Sequence, residues 1–144
     1  MHHVDYNAIR LIRYGKLIDK AILAHRYSLA THLAYRCLLE YHRLFARFLM
    51  PQTKIFRHNA FQLSVMTVRY MRTRRKLTLH RTRQLFNMLR STYFITKLSG
   101  ARYADRDLHV DLATATYARD QALAISRFLF GTLNEETRGE KVRE

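Results

Sequence analysis

From Tyr41 to Ala104 the chain has no Asp or Glu at all, although that segment is 64 residues long and holds fourteen Lys and Arg. So long a carboxylate-free run excludes a surface that neutralises itself locally. It also removes the paired carboxylates of general acid–base catalysis from the middle of the chain. Proline is nearly as scarce: Pro51 is alone, and glycine occurs only at Gly15, Gly100, Gly131 and Gly139. With so few breakers and no Asn-Gly or Asp-Gly turn, the pattern reads as all-helical. A single cysteine, Cys37, excludes an internal disulfide and any all-cysteine metal site, and mid-helix beside Leu38 it reads as a small apolar filler. Long apolar runs are missing too. A membrane helix needs roughly 18–20 such residues, and the best stretch, Leu38 to Met50, is interrupted by Glu40, His42, Arg43 and Arg47. There is no Gly-rich phosphate loop and no His-Glu-x-x-His, so the eight histidines read as surface or half-buried residues rather than metal ligands. No catalytic residue, no metal and no cofactor of the chain's own is expected.

What the chain has is positive charge. Lys and Arg number 26 against 11 acids, a formal net charge of +15, and 48% hydrophobic content argues against disorder. Arg outnumbers Lys twenty to six, a bias that suits fixed two-point contacts with phosphate or carboxylate and is equally the mark of a GC-rich genome. Six of the fourteen central cations fall in one short run: Arg72, Arg74, Arg75, Lys76, Arg81 and Arg83. One or two cations complement the negative end of a helix, but six exceed that need. Like charges repel in a compact state, so a permanent acidic partner is expected, either nucleic acid or an acidic protein. Tyr70, Phe86, Tyr93 and Phe94 are interleaved with these cations. They are able to stack on bases, but at helical spacing they read first as core.

The length suits one domain large enough to bury a core. The expected organisation is a helical domain over 1–131 followed by a polar tail over 132–144. Four helices are expected. The first runs from Asp5 to Met50 with a break near Ser28 and stops at Pro51; the second runs from Arg57 to Lys76. The third runs from Thr78, as N-cap, to Gly100. The fourth begins after Asp105 and Asp107 and ends at Gly131. Leu38, Tyr41, Phe45 and Phe48 form a core stripe. Opposite them Arg36, Glu40, Arg43 and Arg47 recur at spacings of four, three and four, where Arg36 and Arg43 are placed to pair with Glu40. On the third helix Leu85, Leu89 and Tyr93 form the inward row, with Arg83, Asn87 and Arg90 turned away.

The run His32-Leu33-Ala34-Tyr35-Arg36-Cys37-Leu38-Leu39-Glu40-Tyr41-His42-Arg43-Leu44-Phe45 resembles the opening of the LYR-motif family of small mitochondrial helical proteins. Tyr35 and Arg36 match the motif and Leu38-Leu39 match its apolar pair, while Ala34 stands where the family has leucine. Tyr70 is the counterpart of an aromatic late in the family's second helix. It precedes the Arg72 to Lys76 run and a third helix at Leu85-Phe86-Asn87. The resemblance spans Thr31 to Leu98. It implies a three-helix core with flanking helices, and an accessory subunit of a mitochondrial respiratory-chain complex that binds acyl carrier protein. Under it, the carrier's acyl-phosphopantetheine chain would enter the bundle core. Tyr35, Arg36 and Tyr70 would shape the groove, and Arg72, Arg74 and Arg75 would face the carrier's acidic helix, with Lys76, Arg81 and Arg83 extending that basic surface.

Three readings therefore stand side by side. The first is a non-catalytic subunit embedded in a large mitochondrial complex, on the matrix side of the inner membrane or in the matrix. The second is a mitochondrial ribosomal or other RNA-bound protein, which the charge alone supports. The third places the basic amphipathic segment Ile9 to Ile22 on an anionic membrane surface. No secretory signal is expected, because Arg10, Arg13, Lys16 and Lys20 interrupt any apolar core. The first forty residues instead resemble a mitochondrial targeting segment that doubles as structure. The mixed-sign stretch from Asn134 to Glu144 differs from the Lys-, Gly- and Pro-rich tails of ribosomal proteins and favours the first reading.

Overall fold

Capping chemistry decides where the helices begin and end. The computed structural model describes residues 2–52, 54–74, 78–104 and 110–143, with side chains described for 6–52, 54–74, 78–80, 82–98 and 110–135. It is an all-α bundle of α1 (His2–Leu23), α2 (Tyr27–Leu49), a 3-10 turn (Ile55–Arg57), α3 (Ala60–Arg74), α4 (Leu79–Ala104) and α5 (Leu112–Arg143).

The expected long first helix is two helices, and the break falls at Ala24–Arg26 rather than Ser28. His25 takes φ 58°, the left-handed conformation that glycine normally supplies. Around it the Arg26 amide donates to Ala21 O at 2.8 Å and the His25 amide to Ile22 O at 3.0 Å. That pair of bonds is a Schellman closure with histidine in glycine's place. α2 ends at Leu49, just ahead of Pro51, as expected.

α3 starts at Ala60, not Arg57, because Asn59 caps it. Gln62 N donates to Asn59 Oδ1 at 2.8 Å and Asn59 N donates to Gln62 Oε1 at 2.9 Å, a reciprocal capping box. Its expected end at Lys76 lies outside the described residues, as do Asp105 and Asp107. The cap of α5 is Asp111, which accepts the Thr114 amide at 2.8 Å. Hydrogen bonding from Thr114 holds the Asp111 carboxyl below its ordinary range. α5 does not end at Gly131. A Cβ at that position meets nothing within 4 Å, and the helix continues to Arg143 through the segment expected to be a polar tail.

α2 is the central element and packs on all four other helices, most extensively on α5. Ala30, Ala34 and Cys37 of α2 and Ala115, Ala118 and Ala122 of α5 are all fully or almost fully buried, so small side chains let the two backbones approach closely. Cys37 Sγ lies 3.4 Å from Ser126 Oγ across that seam. Leu38, Tyr41 and Phe45 are buried as expected, but Phe48, near the C-terminal end of α2, is 53% exposed. α1 runs antiparallel to both α2 and α5. Tyr41 Oη donates to Asn7 O on one side, and Arg119 pairs with Asp19 on the other. α3 and α4 form a second antiparallel hairpin, with the Phe61 and Tyr93 rings 5.0 Å apart.

Candidate partner-binding grooves

Two open grooves flank the central helix. The first lies between α3 and α4, holds about 250 Å³ and is lined by Phe61, Ser64, Val65, Val68, Phe86, Leu89, Arg90 and Tyr93. Its walls follow from helix periodicity. Phe61, Val65 and Val68 fall on one face of α3, and Phe86, Leu89 and Tyr93 on one face of α4. The aromatics expected to be core are therefore open to solvent: Phe86 is 56% and Tyr93 47% exposed. Of the row Leu85, Leu89 and Tyr93, only the two leucines are buried. Residues four apart drift about 40° around a helix, so Tyr93, two steps from Leu85, shares the groove with Arg90 and meets Phe61 of α3.

The cations of this hairpin continue the groove's lines. Arg72 follows Val68 by four residues and Arg83 precedes Phe86 by three, so each guanidinium stands one turn beyond an apolar wall. Both are exposed, as is Arg74. At the other end Lys97 Nζ sits 5.5 Å from the Tyr93 ring centroid. No residue of α3 or α4 is acidic. The side chains of Arg75, Lys76 and Arg81, expected in the same surface, lie outside the described residues.

The second groove lies between α1 and α2, holds about 380 Å³ and is lined by both helices and by Phe56 of the 3-10 turn. Here the expected stripe of Arg36, Glu40, Arg43 and Arg47 comes together on one wall. Its expected internal pairing does not form. Glu40 pairs with Arg10 of α1, which places a cation directly across the groove. This bond, ahead of the opposing effect of burial, holds the Arg10 guanidinium well above its ordinary range. Arg10 also donates to the Tyr6 hydroxyl at 2.9 Å, and Arg43 lies over the Phe56 ring at 5.1 Å. Burial pushes the Tyr14 and Tyr41 hydroxyls up, so both remain protonated hydrogen-bond donors.

The residues singled out by their resemblance to a known motif are thus divided. Arg36 faces α1, in the second groove. Tyr35 and Tyr70 are half-buried against the core, and Tyr70 meets Phe45 edge-on at 5.7 Å. Arg72, Arg74 and Arg83 belong to the α3–α4 hairpin. Arg10, Tyr14 and Phe56 were not foreseen as groove residues, since only tertiary packing brings them to the α2 stripe. His42 was also missed: it is fully buried with neither ring nitrogen partnered, and burial drives its pKa down to about 3. Among the described residues no three His, Cys, Asp or Glu side chains group as a metal site, and no helix is long and apolar enough to cross a membrane. No protein-family model, curated protein or solved structure matches the chain.

Proposed function

We propose that the chain is a non-catalytic accessory subunit that docks an acidic, amphipathic partner along the α3–α4 groove. One observation carries this reading: an apolar groove built by two helices that contain cations and no carboxylate. An amphipathic helix lays its apolar side chains into such a groove, while acidic residues on its flanks meet the rim. Arg72, Arg83 and Arg90 supply orientation and association rate, and Phe86, Val68 and Tyr93 supply the buried contact. A carrier protein with an acidic helix and an acyl-phosphopantetheine arm has this chemistry, which agrees with the Tyr35-Arg36 resemblance. The corresponding setting is a large mitochondrial complex of the respiratory chain, on the matrix side.

The test is titration of the purified chain with acyl carrier protein, with and without an acyl chain on the carrier. Arg72→Glu combined with Arg83→Glu is expected to weaken binding at least about tenfold, and Phe86→Ser to remove the preference for the acylated form. Binding that ignores both changes refutes the assignment of this groove. So does recovery from mitochondria of ribonuclease-sensitive RNA, with no carrier, through these same side chains.

A further inference from the structure

The α1–α2 groove carries a different signature from the apolar one. Arg36, Arg43 and Arg47 share one face of α2, and from Arg36 to Arg47 that row spans about 16 Å of helix. The groove continues past Arg36 into a second depression lined by Arg10, Arg13, Tyr14 and Arg36. Five guanidiniums thus follow one another along a trough, against a single carboxylate among the described residues. Glu40 is already matched by Arg10, and Arg36 and Arg47 form no ion pair among the described residues. The side chains of Arg13, Arg36 and Arg47 are exposed, so their guanidiniums are open to a ligand along the trough. Tyr6, Tyr14 and Phe56 interrupt the row with rings.

A single phosphate ion would fill little of such a trough and touch one or two of its cations. A folded acidic protein offers carboxylates scattered over a convex surface, without a ring following each anion at a regular step along one line. A linear chain of phosphates with a ring at each step uses the whole feature, because guanidiniums grip phosphates and aromatic side chains stack on bases. We infer that the α1–α2 groove binds single-stranded nucleic acid, its phosphates on Arg13, Arg36, Arg43 and Arg47 and its bases against Tyr6 and Tyr14. This site shares no lining residue with the α3–α4 groove, so it stands whether or not an acidic protein docks there.

Fluorescence anisotropy with a labelled oligouridylate, repeated over a salt series, tests the inference. Inorganic polyphosphate of the same charge serves as competitor, and an oligodeoxythymidylate separates RNA from DNA. Each of Arg36→Gln and Arg47→Gln is expected to flatten the slope of log K against log salt by about 0.7. Arg26→Gln with Arg127→Gln, exposed cations outside the groove, removes more charge and leaves affinity nearly unchanged. Tyr6→Leu is expected to weaken the oligouridylate about fivefold or more while sparing polyphosphate. Arg36 and Arg47 are solvent-facing, and circular dichroism of each variant verifies that the helices persist. Equal affinity for polyphosphate and oligouridylate overturns the inference, as does an equal loss in the Arg26 and Arg127 control, or no binding at all.

Discussion

Replacing His42 by leucine separates the energetics of the core from everything on the surface. In the folded chain the imidazole is fully buried, its nitrogens have no partner, and its pKa is lowered by burial from 6.5 to about 3. The unfolded chain binds a proton below pH 6.5 and the folded chain does not, so stability from this group is complete above that pH and falls as pH decreases towards 3. Between those limits each pH unit costs a little over 1 kcal/mol, or about 1 kcal/mol by pH 5.5 and about 3 kcal/mol by pH 4.5. Leucine is close in volume and has no polar atom to desolvate. His42→Leu is therefore expected to raise stability by about 1–3 kcal/mol at neutral pH. The gap between the two chains should then widen by the amounts above as pH falls. Urea denaturation followed by far-ultraviolet circular dichroism, at fixed ionic strength and stepped pH, measures both. All other titrating groups are common to the two chains and cancel in the difference. A gap that stays constant with pH, or a leucine variant less stable at pH 7, refutes the account of a neutral, unpartnered histidine.

Four further outcomes are expected. The Cys37 thiol, pushed up to about 12 by burial against the opposing effect of its bond with Ser126, should react with a thiol reagent only as fast as the chain unfolds, which timed labelling in rising urea measures. His25→Gly relieves a left-handed residue at the end of α1 and should stabilise by about 0.5–1 kcal/mol in denaturant melts. Asn59→Ala removes half of the α3 capping box and should destabilise by about 1 kcal/mol in the same assay. Raising sodium chloride should increase the melting temperature of the free chain by screening its like charges, while weakening its hold on an acidic partner.

The helical class was legible because period and punctuation agree: one proline, four glycines and repeated apolar rows leave little else to form. Boundaries were legible only where a strong residue marks them, as Pro51 does. The α1–α2 break has no such mark, since histidine occupies the left-handed position that glycine usually announces. Asn59-x-x-Gln62 was a readable capping box overlooked beside the cationic runs, and Asp111 was eclipsed by Asp105 and Asp107. Gly131 misled for a physical reason: glycine inside a helix costs only about 1 kcal/mol relative to alanine, and the buried residues on either side, Leu129 and Leu133, hold α5 to the bundle through it. Of the candidate surfaces, the α2 arginine stripe was visible in its four-three-four spacing. Its partner across the groove was not, because Glu40 chooses Arg10, thirty residues away, over its neighbours Arg36 and Arg43.

That choice explains why the charge stays uncompensated. Every described carboxylate is engaged within the fold: Glu40 with Arg10, Asp19 and Asp120 with Arg119, Asp111 with the start of α5, and Glu135 with a partner of its own. Exposed pairs of this kind contribute at most about 1 kcal/mol each, so they position α1 and α5 on the bundle more than they stabilise it. They do, however, use up the negative charge. Among the described residues none is left for Arg72, Arg83 and Arg90, or for Arg36 and Arg47. An acid placed on α3 or α4 would relieve the repulsion at little cost to the helices, and the sequence places none there. Among the described residues the positive charge over both grooves is thus a feature of the folded surface, as the proposed docking of an anionic partner requires.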